Sequence, residues 1–380
     1  MNNSTPEERE SFFDSLNNGL LEVFETDIDL SSEAKFPLSH EALSDQEGQY
    51  PVKLISEIGR GGMKVIYKCQ VRDDGNMLAL ATMLKKRPSA VEGFLREAQI
   101  TQKLSHYNII RVYDHGISER FGPYMAMNYV EGESLADVLK GLSLGDAMVL
   151  DRYPLVRRLR IFKDVALAIS FAHSQGVVHL DIKPENILID NDGRVYVCDW
   201  GLAKMLPDFE TDETSSLFLS SSQSNMFLKG SPGFMAPEQI SERGKSIQTD
   251  IYQLGALLYS VIFLRAPVVG NTVDEVLVNT VLGQVDLPKE DNDIVVKVIK
   301  VALSTDPEGR FGSVEEMLDI LGKVLSLNEA KLKTTIVQDS IAFRKLPESS
   351  GSSKRDDVLF WVLLLTLSCL VVFLGMLIKN

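Results

Sequence analysis

The sequence is poor in cysteine. Its 380 residues include three cysteines, Cys69, Cys198 and Cys369, which are widely separated along the chain. They do not form the closely spaced pairs that bind zinc, and they are too few and too scattered for a disulfide framework. A zinc site and a disulfide framework are therefore excluded as the basis of the fold. Scattered cysteines of this kind are typical of proteins in a reducing compartment.

The sequence also lacks an excess of positive charge. Its formal net charge is -14, and residues 1–50 alone hold twelve acidic and two basic residues, a local balance of -10 that leaves -4 for the rest. This balance argues against nucleic acid as a partner of the main domain. Residues 1–49 are interpreted as an acidic N-terminal segment, either a solvated and partly disordered leader or a docking arm for a partner.

No N-terminal signal peptide is predicted, because the first thirty residues lack a basic start and an apolar stretch. The long apolar run lies at the other end, where residues 358–378, VLFWVLLLTLSCLVVFLGMLI, contain no charge. As a helix these 21 residues would extend roughly 31 Å, the thickness of a bilayer core, and a buried core helix is rarely apolar on every side. Lys354 and Arg355 precede the run and favour a cytoplasmic main domain. The sequence predicts a single-pass C-terminal membrane anchor behind a polar linker, residues 326–357.

Between residues 50 and 325, strands come first and helices come later. Alternating apolar residues predict strands at 52–58, 65–71 and 77–84, and helical spacing follows at 91–104. Further helices are predicted at 155–172, 250–263 and 273–282. This order predicts an α+β fold with a small β-rich lobe and a larger helical lobe.

The strongest chemical signal is the string HLDIKPENIL, residues 179–188, followed by Asp199 in the string DWG. Asp181 can orient a substrate hydroxyl and accept its proton, and Lys183 can neutralise a phosphoryl group in transfer. Asn186 and Asp199 carry the oxygen ligands that magnesium prefers. The four residues together form the set that phosphoryl transfer requires.

These strings, in this order and spacing, resemble the protein kinase family. Because Lys183 follows Asp181 in the pattern DxKxxN, the closer resemblance is to the eukaryotic-like serine/threonine kinases, in a bacterial style. The resemblance covers residues 50–325 and implies a two-lobed kinase fold, ATP and Mg²⁺ as cofactors, and a protein substrate with serine or threonine. It also implies that Glu97 positions the phosphate-binding lysine. The residues that it implies for nucleotide binding are Gly59, Arg60, Gly61, Gly62, Met63, Ile66, Ala79, Met127, Asn128 and Val130.

Four further positions follow from the same resemblance. Glu238 closes the string GSPGFMAPE, the end of an activation segment, and Arg310 is its expected buried partner. Asp250 matches the helix acid that ties down the catalytic loop. Leu180 stands where many kinases carry the arginine that grips an activation-segment phosphate, so we hypothesise that activity does not require phosphorylation there. The serine-rich residues 214–224 are then either a mobile loop or a phosphorylation target.

The family's strand lysine is missing, because Ala81 occupies its position. Lys85 lies four residues further on, ~13 Å along a strand, which is too far for it to pair with Glu97. In the glycine-rich string GRGGMKVIY, residues 59–67, Lys64 replaces the third glycine and could reach the same phosphate oxygens. This arrangement resembles the with-no-lysine kinases, which supply a substitute lysine from this loop. Lys64 is therefore assigned as a catalytic residue together with Glu97.

Two alternatives remain open. Lys64 could point to solvent, as we expect of Lys68, and the chain would then be a pseudokinase that acts as a membrane-tethered nucleotide-binding or protein-interaction scaffold. In a third interpretation, the acidic segment and the anchor carry the function and the domain is a tether. The discriminating observation is whether the ammonium group of Lys64 lies within salt-bridge range of Glu97 and faces the cleft.

Overall fold

The computed structural model describes residues 52–328, apart from residues 62, 73–74, 85–87, 119, 207–230, 242–243 and 288–293. The predicted acidic segment (1–49), the predicted anchor (358–378) and nearly all of the predicted linker (326–357) lie outside the described residues, as do the serine-rich residues 214–224. Among the helices within the described part of the chain, none is long and apolar enough to cross a membrane.

The N-terminal lobe is a five-stranded antiparallel sheet with one helix. Its strands are β1 (Val52–Arg60), β2 (Lys64–Val71), β3 (Met77–Met83), β4 (Val112–Ser118) and β5 (Gly122–Asn128), arranged in the order β1-β2-β3-β5-β4. Helix α1 (Pro88–Lys103) connects β3 to β4. The three strands predicted from alternation are confirmed. The helix begins at Pro88 rather than at residue 91, because proline suits a first helical turn, where its missing N–H has no intrahelical partner.

Helix α1 packs on one face of this sheet. Phe94 and Ala98 from the helix form a buried apolar cluster with strand residues that include Ala81 and Met125. Ala81 is 0% exposed, so the position of the missing lysine is filled with packed apolar side chains. The packing fixes the side of α1 that faces the sheet and thereby holds Glu97, which is also buried, toward the cleft.

The second lobe is mainly helical. Its helices are α2 (Leu135–Leu144), α3 (Ala147–Arg152), α4 (Leu155–Ser174), α5 (Pro237–Ile240), α6 (Ile247–Phe263), α7 (Val273–Val281), α8 (Ile294–Ala302) and α9 (Val314–Asn328). Short strands β6 (Gly132–Ser134), β8 (Ile187–Asp190) and β9 (Val195–Val197) form one small sheet, and β7 (Val177–Val178) pairs with β10 (Lys204–Met205). Helix α6 is buried along nearly its whole length and packs against α4 and α8. The predicted two-lobed α+β architecture is confirmed.

A buried ion pair ties α5 to the rest of this lobe. Arg310 donates two hydrogen bonds to the carboxylate of Glu238, at 2.7 Å and 2.8 Å, and Thr249 Oγ1 donates a third at 2.8 Å. Both charged groups are buried. A buried charge without its partner is strongly destabilising, so the folded protein requires both groups. The predicted pairing of Glu238 with Arg310 is confirmed.

Glu238→Gln should lower the free energy of unfolding by about 3 kcal/mol, because it leaves the Arg310 guanidinium buried without its anionic partner. Urea unfolding of the full chain at pH 7 measures this change. Glu308→Gln is the matched control, since Glu308 is exposed near the same arginine, and it should change the free energy of unfolding by less than about 0.5 kcal/mol. Equal stability of the two variants would contradict a structural role for the pair.

The stability conferred by Glu238 should depend on pH. Burial by itself would raise the pKa of Glu238, but the hydrogen bonds and charge of Arg310 lower it below its ordinary value. A carboxyl group whose pKa is lower in the folded state stabilises the protein above the unfolded-state pKa, about 4.3, and loses that effect as the pH falls through the folded-state pKa. The difference in urea midpoint between the parent and Glu238→Gln should therefore shrink on acidification below about pH 4. A difference in urea midpoint that widens in acid would contradict a lowered pKa of Glu238.

Candidate active site

The ammonium group of Lys64 lies between two carboxylates at the back of the cleft. Lys64 Nζ is 2.7 Å from Glu97 Oε1 and 2.8 Å from Asp199 Oδ1. The side chains of Lys64, Glu97 and Asp199 are 24%, 9% and 42% exposed, so the carboxylate of Glu97 is the most enclosed of the three. The contact between Lys64 and Glu97, which distinguishes a relocated nucleotide lysine from a pseudokinase, is present. Lys64 does not point to solvent.

The strand register explains how Lys64 reaches this position. Strands β2 and β3 pair without a bulge, with Ile66 opposite Ala81 and Lys64 opposite Met83. Lys64 and Ala81 are therefore diagonal neighbours on the same face of the sheet, roughly 7 to 8 Å apart at their backbones. A lysine side chain can span that distance, so a cation from either position can meet the carboxylate of Glu97.

The charges in this cluster are unevenly balanced, with one cation between two carboxylates. Burial by itself would lower the pKa of Lys64, yet the charges of Glu97 and Asp199 raise it above its ordinary value. Burial raises the pKa of Glu97, with Lys64 opposing and Asp199 reinforcing that shift. Burial would also raise the pKa of Asp199, but Lys64 in contact with it lowers it. Lys64 is thus charged at neutral pH, and Glu97 is the carboxylate that takes up a proton more easily.

The catalytic loop, residues 179–186, brings together the other predicted catalytic residues. Lys183 Nζ donates to Asp181 Oδ2 at 2.7 Å. Asn186 Nδ2 donates to the same oxygen at 3.0 Å and to the Asp181 carbonyl at 2.8 Å. The carboxylate of Asp181 is thereby held by a cation and an amide in fixed directions.

Helix α6 holds this loop in place through hydrogen bonds to its backbone. Asp250 accepts hydrogen bonds from the backbone N–H groups of His179 and Leu180, each at 2.8 Å, as expected for the acid that ties down the loop. The His173 ring lies 2.8 Å from the same carboxylate. The Asp181 N–H donates to His179 Nδ1 at 3.2 Å, and burial lowers the pKa of His179, so this ring is a neutral acceptor.

A cleft of about 550 Å³ separates the lobes, and its size lies in the usual range for a ligand pocket. Its lining includes the predicted nucleotide residues Ile66, Ala79, Met127, Asn128 and Val130. It also includes Lys64, Glu97, Asn186 and Asp199. Burial raises the pKa of the Cys198 thiol in the cleft wall to about 12, so this group is a neutral thiol at pH 7.

The remaining predicted nucleotide residues are placed differently. Gly59, Arg60, Gly61 and Met63 are not among the residues that line the cleft, and Gly62 lies outside the described residues. Strand β1 continues to Arg60, whose side chain forms an exposed ion pair with Glu57 at 2.5 Å, and Met63 is exposed at the β1–β2 turn. The turn therefore directs these side chains away from the cleft.

The expectation that Lys68 points to solvent is wrong. Lys68 Nζ lies 4.2 Å from the centre of the Tyr129 ring and 3.9 Å from Glu131 Oε1, and its side chain is only partly exposed. Tyr129 and Glu131 follow β5 and line the cleft. The aromatic face and the carboxylate together attract this cation to the segment that joins the lobes.

The residues present fit ATP and Mg²⁺. One wall of the cleft is apolar, which suits a flat base, and the Lys64 and Lys183 ammonium groups suit a polyphosphate. Asn186 and Asp199 are the residues that could hold Mg²⁺, which usually takes one or two carboxylates and completes its coordination with water and phosphate oxygens. Within the described part of the chain, no group of three or more metal-binding side chains is preformed.

Sequence reasoning missed several residues that shape this site. Ile58, Ser134 and Asp137 also line the cleft. Gln239 and Gln253 bind the backbone of the catalytic loop. The available signal was the string DIYQLGALLYS, in which Gln253 carries the only amide side chain and lies three residues after Asp250 in a mainly apolar helix.

The chain is similar to known proteins, and this similarity shows its family. A family model described as a protein kinase domain matches residues 52–331, close to the predicted range 50–325. The chain belongs to the protein kinase family. This membership agrees with the two lobes, the cleft between them and the catalytic loop.

The kinase has similar relatives among bacterial proteins. It is 30% identical over 285 residues to the serine/threonine-protein kinase PknD of Protochlamydia amoebophila, a match that covers 70% of this chain and 29% of the relative. It is 28% identical over 286 residues to a probable serine/threonine-protein kinase PknB of Lactococcus lactis, covering 73% and 42%. The kinase thus matches less than half the length of these relatives. Their names confirm the predicted resemblance to eukaryotic-like serine/threonine kinases of bacterial style.

Proposed function

We propose that this kinase transfers the γ-phosphate of ATP to serine or threonine hydroxyl groups of proteins, with Lys64 in the role of the missing strand lysine. The observation that carries the proposal is the 2.7 Å contact between Lys64 Nζ and Glu97 Oε1. It supplies a cation at the back of the cleft although Ala81 has none. The intact set of Asp181, Lys183, Asn186 and Asp199 supports a catalytic function over a scaffold.

Each residue has a chemical task in this proposal. Asp181 would accept a hydrogen bond from the substrate hydroxyl, orient it and take up its proton. Lys183, which contacts Asp181, would offset charge on the phosphoryl group in transfer. Lys64 would bind phosphate oxygens of ATP while Glu97 holds its ammonium group in place. Mg²⁺, when held by Asn186 and Asp199, would neutralise charge on the phosphates.

The direct test is phosphate transfer from radiolabelled ATP by the full chain, with Mg²⁺ and a generic protein substrate. We expect labelled phosphoserine or phosphothreonine after partial acid hydrolysis of the product, and at least about 10²-fold less label with Asp181→Asn. Saturable ATP binding without turnover in the parent protein would overturn the proposal and favour the pseudokinase scaffold.

Ala81→Lys should not raise the turnover of the parent protein. The new side chain would have to enter the packed cluster around Phe94 and Met125, and such overpacking typically costs about 1 to 3 kcal/mol. It would also bring a second cation to Glu97, which already pairs with Lys64. Initial rates and urea midpoints measure both effects, and a several-fold gain in rate would indicate that Lys64 replaces the strand lysine only poorly.

The membrane anchor is part of the same proposal. Residues 358–378 would span the bilayer once, and the basic pair before them would keep the kinase domain on the cytoplasmic side. Deleting residues 358–380 should move the protein from the membrane pellet to the supernatant after cell lysis. A variant with the order of residues 358–378 permuted keeps the hydrophobicity and should stay in the pellet. Retention of the deleted form in the pellet would exclude this segment as the anchor.

A further inference from the structure

One amide side chain, that of Gln253, spans the peptide groups on both sides of Asp181. Its Oε1 accepts a hydrogen bond from the Ile182 N–H at 2.9 Å, and its Nε2 donates to the Leu180 carbonyl at 3.1 Å. Because a backbone N–H can only donate, Ile182 determines which end of the amide is oxygen. Gln253 is 1% exposed, so water does not compete for these hydrogen bonds.

A second amide binds the same carbonyl. Gln239 Nε2 donates to the Leu180 carbonyl at 2.9 Å, and its Oε1 accepts from Gln253 Nε2 at 3.0 Å. The same oxygen accepts from the Ala236 N–H at 2.9 Å. Gln239 and Gln253, named the amide clamp, therefore connect α5, α6 and the catalytic loop in one buried network.

The clamp acts on a strained point of the backbone. Leu180 has φ 66°, in the left-handed region that residues other than glycine rarely adopt because of steric strain. Its own side chain is apolar and buried, so it offers no hydrogen bond to hold this conformation. The strain persists only where the surroundings determine the conformation, and Asp250 with the clamp supplies the hydrogen bonds to the Leu180 peptide groups.

The clamp carries no charge, so it does not depend on a phosphate group as a charge partner. Both members are neutral amides, and the side chain of Leu180 has no charge that could grip a phosphate. Gln239 directly follows Glu238, which Arg310 holds in the helical lobe. The end of the activation segment and the backbone beside Asp181 are therefore fixed together by groups of the chain itself.

We infer that Gln253 and Gln239 are positioning residues for phosphate transfer. They fix the peptide groups on both sides of Asp181 and so set the direction of its carboxylate, without help from a phosphorylated residue. The catalytic consequence rests on the proposed function, whereas the clamp itself can be tested without turnover.

The test of the clamp is hydrogen exchange of the full chain at the Ile182 amide. Gln253→Met keeps the length of the side chain but removes the acceptor of this N–H, so its exchange should become about tenfold faster. Gln248→Met is the matched control on the same helix, because the Gln248 side chain accepts a hydrogen bond from Ser246 outside the catalytic loop. Equal exchange at Ile182 in the parent and Gln253→Met would overturn the clamp.

The catalytic consequence is tested by steady-state kinetics of the same variants. Displacing Asp181 should lower kcat by about 10- to 100-fold in Gln253→Met. The KM for ATP should stay within about twofold, since binding and chemistry are separable in such comparisons. If Gln253→Met only destabilised the fold, kcat would fall only in proportion to the folded fraction, which urea unfolding measures.

A second variant covers the case in which Gln253→Met does not fold. Gln239→Met removes one of the two donors to the Leu180 carbonyl and should lower kcat by about three- to tenfold.

A conservative variant gives a pH signature that a structural role would not. Gln253→Glu keeps the acceptor for Ile182 and can donate to Leu180 only when its carboxyl group is protonated. Its kcat relative to the parent should therefore rise as the pH falls from about 8 to about 6, because burial raises the pKa of such a group into this range. A ratio independent of pH, or kcat within twofold of the parent in the methionine variants, would overturn the positioning role. If the parent itself shows no turnover, the proposed function fails, and the exchange at Ile182 still decides the clamp.

Discussion

Lys64→Met is expected to lower the rate of phosphate transfer by about 10²- to 10³-fold, the usual cost of removing one electrostatic group aimed at the reacting atoms. Methionine keeps the length of the side chain and removes its charge. Without Lys64, the cation that contacts Glu97 and Asp199 is gone from the back of the cleft. Initial rates with radiolabelled ATP at saturating Mg²⁺ measure the loss.

The fold should survive this substitution. Glu97 already has a raised pKa, so it can take up a proton when its cationic partner is removed and need not stay buried as an unpaired charge. Lys53→Met on strand β1 is the matched control, since Lys53 is exposed and far along the strand from the turn. Its rate should stay within about twofold of the parent. Unchanged turnover in Lys64→Met would contradict the assigned role of this lysine.

Asp181→Asn is expected to lower the rate by about 10²- to 10⁴-fold, because asparagine cannot take up the proton of the substrate hydroxyl. The substitution keeps an oxygen that can accept the hydrogen bonds of Lys183 and Asn186. ATP binding should therefore be retained. The chain has two tryptophans, Trp200 and Trp361, so Trp361→Phe leaves Trp200 in the cleft wall as the single fluorescent reporter of binding.

The control for this prediction is Asp192→Asn, an exposed aspartate on the turn between β8 and β9. It should leave both the rate and the Trp200 titration unchanged. Two results with Asp181→Asn would contradict the account. Retained turnover would exclude Asp181 as the proton acceptor, and a parallel loss of ATP binding would indicate a change in the fold of the cleft.

The contact between Lys64 and Glu97 could be predicted from the sequence because it depends on local geometry. Alternation in residues 65–71 and 77–84 predicts two strands joined by a short turn, and the antiparallel pairing of such strands brings Lys64 near Ala81. The catalytic loop could be predicted for a similar reason, since Asp181, Lys183 and Asn186 lie within six residues of one another. Contacts between residues that are close in sequence can be predicted from the spacing of those residues.

The amide clamp could not be predicted in the same way. Gln239 and Gln253 bind Leu180 across 59 and 73 residues of chain, and no periodicity connects positions so far apart. The left-handed backbone at Leu180 is also invisible, because leucine does not favour it and tertiary hydrogen bonds impose it. The direction of Lys68 was missed because an aromatic ring on another segment determines it.

The glycine-rich turn shows a different limit. Glycines at residues 59 and 61 permit several backbone paths, so the string does not fix which side chains face the cleft. In the structure β1 extends to Arg60, and the cleft is lined from this region by Lys64 and Ile66, which were predicted, and by Ile58, which was not. The sequence indicated the type of loop and left its direction open.

The most direct test of the central claim is covalent labelling with an acyl phosphate derivative of ATP, which transfers its acyl group to a lysine amine beside the bound phosphates. The full chain is labelled with and without excess ATP, digested and mapped by mass spectrometry. The account predicts acylation of Lys64 that excess ATP suppresses, while Lys53 shows no such protection. Labelling of another lysine in the cleft with none at Lys64 would contradict the assignment of Lys64 as the nucleotide lysine.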